Sequence, residues 1–432
     1  MKLKACLRSI PFIIWRVFRL SIFLFLIAFT TGGAIVPTGG FNERVRTFTR
    51  EQEFDFVTWT IDAAVAKFSS WALSAHRFMT PEEQSQLVLD YLDQVRNVQT
   101  LNHEMLVMYS DPTIDDLAAA SQPLKENLNR EIHRLESLAP LAESILQNQI
   151  MDIIHDEGLG FLGQVIPPTL YHVSDIPYNL IISPRSEITS LMSVSLTPGL
   201  SVDVMDHVEQ AIYYDLDHAA LVVPIGGMAS YPAMVMQTSN LVRLTEIIAH
   251  EWVHNYLMPR PLGYLYFNSE EIRTINESVA TLAGIELGLL TLQKYYPEHI
   301  PPELLQPQEE PESPPPVAEP DPDAFDFRLE MRETRVTVDE LLAQGTIEAA
   351  EAYMEARRQF FWENGFRIRK LNQAYFAFYG AYNVAPGGGP SGDDPIGPAV
   401  VTFREQSPSL ADFLNDISWI DSFESLLALL DR

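Results

Sequence analysis

The stretch Thr245–Leu257, TEIIAHEWVHNYL, is the most informative part of this chain, because it brings two histidines and a glutamate within reach of one metal ion. Apolar residues recur along it with helical spacing, and prolines end the predicted helix just after it. His250 and His254 stand four residues apart, so on a helix they share one face and can bind the same ion. Glu251 lies beside them and can take a proton from a water that the ion acidifies. These residues predict metal-assisted hydrolysis.

A catalytic zinc ion usually has three protein ligands, and the best candidate for the third is Glu277, in the stretch INESVATLAGIELG. We expect a second helix there, with Asn268 as its N-terminal cap. Three glutamates compete with Glu277 for the role of third ligand: Glu270, Glu271 and Glu286.

A strip of small residues runs along this second helix and consists of Ala280, Gly284 and Gly288. Each glycine costs roughly 1 kcal/mol relative to alanine in a helix interior. The strip therefore indicates that another backbone packs very close to the helix. The helix that contains HEWVH is the expected neighbour, and its approach would bring Glu277 to the metal.

HEWVH followed by NESVA resembles the gluzincin group of zinc metallopeptidases, in which HExxH is followed by a downstream glutamate motif of the NExxA type. The resemblance covers roughly residues 220–295. It implies that His250, His254 and Glu277 bind Zn2+, that Glu251 is the general base, and that the substrate is a peptide or a protein. The gap between His254 and Glu277 is somewhat longer than in the best-known members of the group.

The first 36 residues contain no acidic residue and five basic ones. Residues 20–36 are apolar or small, and the stretch extended back to Ile10 is long enough to span a bilayer. We expect a single-pass membrane helix with a cytoplasmic N-terminus, which places the catalytic domain outside the cytoplasm of a bacterial cell. A cleaved signal peptide is the alternative, but no clear A-x-A site is present.

Charge and cysteine content limit the partners. The formal charge is −29, and setting aside the five basic residues of the anchor takes it to −34. Such an acidic body repels nucleic acid and anionic lipid headgroups, which we exclude as main partners. The only cysteine is Cys6, so no disulfide can form in the exported part. The oligomeric state is left open.

The expected fold class is α+β and predominantly helical. Five segments are predicted: 1–42 (cytoplasmic tip and anchor), 43–160 (helical), 161–300 (zincin-like catalytic domain), 301–325 (acidic Pro-rich linker or loop) and 326–432 (helical). The first helical segment contains an amphipathic stretch from Phe54 to Phe78. In the last segment, we expect one long helix from Val338 to about Tyr382, followed by two shorter helices.

Short strands between Gly158 and the HEWVH helix predict a small antiparallel sheet next to the pair of active-site helices. Val222–Tyr231 is the candidate edge strand, which would hold a substrate backbone by strand addition. Gly226 and Gly227 would allow the close approach that such a strand needs.

A hydrolase of this kind also needs a donor for the negative charge that develops on the substrate carbonyl oxygen. We predict Tyr379 for this role, ahead of Tyr375 and Tyr382, with His218 and His299 as weaker candidates. The alternative to an enzyme is a catalytically inactive, membrane-tethered binding or scaffold protein. The intact Glu251 favours the enzyme.

Overall fold

The computed structural model describes residues 39–73, 75–110, 116–305, 325–380 and 395–431. The predicted membrane anchor, Tyr382 and most of the Pro-rich segment lie outside these residues. The α-helices are α1 (Phe41–Thr49), α2 (Phe56–Leu73), α3 (Pro81–Ser110), α4 (Leu117–Asp156), α5 (Val202–Leu216), α6 (Leu241–Leu257), α7 (Pro261–Tyr264), α8 (Glu270–Tyr295), α9 (Pro302–Leu305), α10 (Phe327–Ala343), α11 (Ile347–Glu363), α12 (Gln373–Tyr379), α13 (Ile396–Gln406), α14 (Leu410–Ile417) and α15 (Phe423–Leu430). The described chain is mostly helical with small sheets, which confirms the expected class.

In the described residues, eight short strands form three small sheets. The strands are β1 (Gly160–Phe161), β2 (Gln164–Val165), β3 (Tyr171–Val173), β4 (Tyr178–Pro184), β5 (Met192–Leu196), β6 (His218–Val223), β7 (Gly227–Met228) and β8 (Ala233–Val235). Strands β1 and β2 pair with each other, and the two larger sheets have the orders β5-β4-β6 and β3-β8-β7. The first of these is antiparallel, whereas β3 and β8 run parallel in the second.

The sheet that contacts α6 is the mixed one, through β7 and β8. The small antiparallel sheet expected beside α6 and α8 is therefore observed in part, because β7 and β8 are antiparallel there while β3 adds to β8 in parallel. The reason is long-range pairing. Strand β3 follows α4 and the pair β1–β2. It pairs with β8 only after the chain has formed the antiparallel sheet and α5, and such a crossover permits a parallel pair.

Contacts divide the chain into two units, Met1–Arg50 and Glu51–Arg432. The described part of the first unit is α1 with its flanking residues. In the second unit, one hydrophobic core joins α3 and α4 to α6, α8 and the C-terminal helices α13, α14 and α15. Residues on both sides of the boundaries predicted near 160 and 300 belong to this core. Helices α3 and α4 therefore pack into the same core as α6 and α8.

Helices α6 and α8 pack against each other at the distance that the strip of small residues predicts. A Cβ atom on Gly284 would lie 3.0 Å from the backbone nitrogen of His250, and one on Gly288 would lie 3.1 Å from that of Glu246. Real Cβ atoms are rarely so close to a neighbouring backbone. The two glycines thus permit the contact between the helices.

The cap of α8 is Ser269, whose hydroxyl accepts from the backbone nitrogen of Ile272 at 3.1 Å. The prediction of Asn268 as the cap is wrong by one residue. Asn268 belongs to the preceding turn, where its backbone nitrogen donates to the carbonyl oxygen of Leu265 at 2.8 Å.

Among the described helices, α8 is the one that is long and apolar enough to cross a bilayer. Its most apolar window is 72% buried, which is typical of a core helix. The predicted long helix from Val338 is divided into α10, α11 and α12. Gly345 follows α10 and Gly365 follows α11, and both adopt positive φ angles, +74° and +88°, that end a right-handed helix.

Candidate metal centre

His250, His254 and Glu277 lie together where α6 contacts α8, and they form a group that could hold a metal ion. The two Nε2 atoms are 3.0 Å apart, and each lies 3.5 Å from Oε2 of Glu277. Two ligands of a tetrahedral zinc ion with bonds of about 2.0–2.2 Å are separated by roughly 3.3 Å. The three atoms therefore have the mutual spacing that one ion requires.

The carboxylate of Glu277 has two different environments. Its Oε1 accepts a hydrogen bond from the hydroxyl of Tyr266. Its Oε2 is buried and has no hydrogen-bond partner in the described part of the chain, although it faces both histidines. A buried polar oxygen without a partner is costly and requires an explanation. A cation bound between Oε2 and the two Nε2 atoms supplies one.

Asn276 orients the ring of His254. Its Oδ1 lies 2.7 Å from Nδ1 of His254, and its Nδ2 donates to the carbonyl oxygen of Leu262 at 2.8 Å. Because the amide nitrogen is the donor to Leu262, the amide oxygen must accept the proton of Nδ1. In the neutral ring the lone pair is then on Nε2, which faces the centre. Such a second contact on a histidine is typical of metal ligands.

Charges within the group favour a cation. Burial acts to lower the pKa of His254, but the Glu277 carboxylate outweighs it, and the pKa is raised to about 9. Burial likewise acts to raise the pKa of Glu277, yet His254 and His250 hold it well below its ordinary value. Since a metal ion and a proton compete for the same Nε2 atom, metal binding releases a proton from His254.

Glu251 lies beside this group and is only 5% exposed. Burial raises the pKa of its carboxyl above the ordinary value, although the neighbouring histidines act in the opposite direction. A carboxylate with a raised pKa is a better acceptor of protons near neutrality. Its position and environment both suit a general base.

Strand β7 passes directly over Glu251. A Cβ atom on Gly227 would lie 2.9 Å from the carboxyl carbon of Glu251, so a larger residue there would have to displace the Glu251 carboxylate. One edge of β7 pairs with β8, and within the described residues no strand pairs with the other edge. Gly227 therefore lies against Glu251 at the edge of a sheet, and the close approach of a substrate backbone to this strand stays a prediction.

The other end of the predicted edge strand has a different environment. Val222 lies in β6 of the antiparallel sheet, and its backbone nitrogen donates to Glu209 at 2.7 Å. Its carbonyl oxygen accepts from Arg369 at 3.2 Å, and that of Ala220 accepts from Asn372 at 3.0 Å. Side chains thus occupy the outer edge of β6. Within the predicted strand, β7 is the part whose second edge pairs with no described strand.

The competing glutamates have other roles or positions. Glu286 forms a two-pronged ion pair with Arg404, with contacts of 2.7 and 2.9 Å. Glu270 and Glu271 lie in the first turn of α8, nearly two turns before Glu277. Among the four glutamates, Glu277 is the one grouped with the histidines.

Tyr379 lies at the end of α12, packed with Tyr375 at a ring-centroid distance of 4.6 Å. Both rings border an apolar cluster on β4 and β6, and burial raises the pKa of Tyr379. Its role as a donor stays a prediction. The tyrosine that contacts a candidate ligand is Tyr266, whose ring centroid lies 6.1 Å from that of His254.

Sequence reasoning missed two residues of the centre, Tyr266 and Asn276. Asn276 could have been recognised from the sequence, because it directly precedes Glu277 and forms part of the NESVA motif. Tyr266 could not have been, because it lies in the turn between α7 and α8, where no spacing rule applies.

Comparison with known proteins found no match: neither a family model, nor a curated protein, nor a solved structure corresponds to this chain. The assignment of the centre therefore rests on the residues and their geometry.

Proposed function

We propose that this protein is a zinc metallopeptidase. The observation that carries the proposal is the buried Oε2 of Glu277, which faces Nε2 of both His250 and His254. Two histidines and one carboxylate are a common ligand set of catalytic zinc, which keeps its fourth position for water or substrate. We further propose that residues 10–36 anchor the chain in the bacterial cell membrane and that the catalytic domain lies outside the cytoplasm.

Each residue of the centre has a role in the proposed hydrolysis. When bound, zinc polarises the substrate carbonyl and acidifies water. Glu251 accepts the proton of the attacking water and passes it to the leaving amine. Tyr266 holds Glu277 in position, and its hydroxyl is a second candidate, besides Tyr379, for the donor to the developing charge on the carbonyl oxygen.

The open edge of β7 supports a peptide or protein substrate. An extended peptide backbone can add to this edge by main-chain hydrogen bonds. Because Gly227 lies against the carboxylate of Glu251, a peptide beside it would have its backbone close to the general base. Cleavage inside a chain and removal of terminal residues are both compatible with this arrangement.

The test compares Glu251→Gln with wild type for zinc content and for hydrolysis of a peptide library. We expect both proteins to bind about one zinc ion, whereas hydrolysis by the variant falls by about 10²–10⁴-fold. Glu246→Gln is the matched control, because Glu246 lies on the same helix and faces the backbone of α8 at Gly288. Equal hydrolysis by Glu251→Gln and wild type would refute the enzymatic assignment. A folded wild type that binds no metal would favour a scaffold protein.

A further inference from the structure

Helix α2 turns several aliphatic side chains away from the body of the protein. Trp59, Ala63 and Lys67 are spaced by four residues and face the body of the protein, where Ala63 is 1% exposed and the Lys67 side chain 12% exposed. Each of these positions has a residue two places away in sequence, which lies on the opposite side of the helix. These residues are Val57, Ile61 and Val65. They are 39%, 57% and 61% exposed, respectively. We call these three residues the outer face of α2.

Lys67 fixes this orientation. Its ammonium group pairs with the carboxylate of Glu143 and lies 4.8 Å from the ring centroid of Tyr171. The same carboxylate accepts from the backbone nitrogen of Val173 at 3.0 Å and contacts Nδ1 of His172 at 3.2 Å. The Glu143 side chain is 4% exposed, so loss of Lys67 would leave a charge buried without its main partner.

A second contact also fixes the orientation of α2. The indole nitrogen of Trp59 donates to the hydroxyl of Ser174 at 3.1 Å. A rotation of α2 that buried the outer face would break this bond and the pair of Lys67 with Glu143. The exposure of the outer face is therefore a consequence of specific contacts on the inner side.

Exposed aliphatic side chains in a row at helical spacing are typical of a surface that contacts an apolar phase. About 20 residues separate the outer face from the apolar stretch that ends near Val36. Even fully extended, these span at most about 70 Å, so an anchored chain can hold α2 no farther than this from the bilayer. Five residues beyond the end of α2, Phe78 is 89% exposed and follows the exposed Arg77, residue types that are frequent at membrane interfaces.

We propose that the outer face of α2 lies in the interfacial layer of the membrane, which it enters through Val57, Ile61 and Val65. This inference rests on the proposed membrane anchor and is independent of the proposed peptidase activity. A second copy of the chain is a poorer occupant, because three aliphatic side chains cannot supply the roughly 800 Å² per partner that a stable dimer buries.

The test uses the full chain in phosphatidylcholine vesicles, with Cys6→Ser as the background and a fluorophore on Ile61→Cys. The matched control is Leu329→Cys on α10, since Leu329 is 59% exposed and Ile61 is 57% exposed. We expect nitroxide-labelled lipid to quench the fluorophore at position 61 at least three times as strongly as at position 329. Aqueous iodide should show the reverse order.

Two outcomes would overturn the proposal. Equal iodide quenching at both positions would mean that the outer face is in water. Protection of position 61 from both quenchers would mean that protein covers it, either a second copy or the N-terminal segment. Peptide hydrolysis, measured on the same samples, reports separately on the proposed activity.

Discussion

Asn276 binds Nδ1 of His254 at 2.7 Å, so the residue that precedes one candidate ligand in sequence orients another candidate ligand in space. The contact crosses between α8 and α6, and it directs Nε2 of His254 toward His250 and Glu277. The arrangement of the candidate ligands therefore depends on residues that are not candidate ligands themselves.

Replacement of Asn276 should weaken metal binding without removal of a ligand. We expect Asn276→Ala to lower zinc affinity about 10–100-fold, because the ring of His254 loses the acceptor that fixes its proton on Nδ1. Competition with a chelator measures this affinity. Asn364→Ala is the control, since Asn364 caps α11 with a bond to the carbonyl oxygen of Phe360. Equal zinc affinity in the two variants would contradict the role of Asn276.

Replacement of Tyr266 and replacement of Tyr379 should have different effects on zinc affinity in the chelator competition assay. Tyr266→Phe removes the hydrogen bond to Oε1 of Glu277, and we expect zinc affinity to fall about 10-fold. Tyr379→Phe should leave affinity unchanged, because that side chain packs with Tyr375 against β4 and β6. A fall in kcat for Tyr379→Phe at unchanged zinc content would support the sequence-based donor instead. A fall in kcat for Tyr266→Phe beyond its loss of zinc would support Tyr266.

Two adjacent glycines test the position of β7. We expect Gly227→Ala to reduce hydrolysis at least 10-fold with zinc retained, because the new methyl group meets the carboxylate of Glu251. Gly226→Ala should have little effect, since its Cβ atom would have nothing closer than the Arg243 side chain at 3.5 Å. If both variants hydrolyse peptides like wild type, β7 does not constrain the general base.

The ion pair of Lys67 with Glu143 should dominate the stability of α2. We expect Lys67→Met to lower the free energy of unfolding at pH 7 by about 3–5 kcal/mol, because it leaves the Glu143 carboxylate buried without its cation. Lys67→Met combined with Glu143→Gln should recover much of this loss. Lys294→Met should cost at most about 1 kcal/mol, since its pair with Asp152 is 40% and 46% exposed. Urea unfolding measures all three variants.

The ion pair of Lys67 with Glu143 also predicts that the stability of the protein depends on pH. Burial acts to raise the pKa of Glu143, but Lys67 and His172 outweigh it and hold the pKa below its ordinary value of 4.5. A depressed folded-state pKa adds stability above the unfolded-state pKa, and this stability is lost as the pH falls below about 4.5. Wild type should therefore lose this contribution under acid conditions, and the double variant should not. Parallel acid unfolding curves of the two proteins would argue against the assignment.

Local sequence patterns predicted the centre well. Spacing by four places His250 and His254 on one face of α6 whatever surrounds the helix, because helical geometry is local. The glycines at 284 and 288 predicted a close helix pair, since only a neighbouring backbone explains their cost. From this pair followed the position of Glu277, the third member of the group.

What the sequence by itself determined is the predominantly helical class and the three candidate ligands, because helical spacing and glycine cost are properties of short segments. Only the tertiary structure decided that Tyr266 holds Glu277, that Arg369 closes the edge of β6 and that Lys67 pairs with Glu143. Each of these contacts joins residues from separate elements, and the last two pairs are far apart in sequence. Their formation depends on the packing of the whole core, which no local pattern specifies.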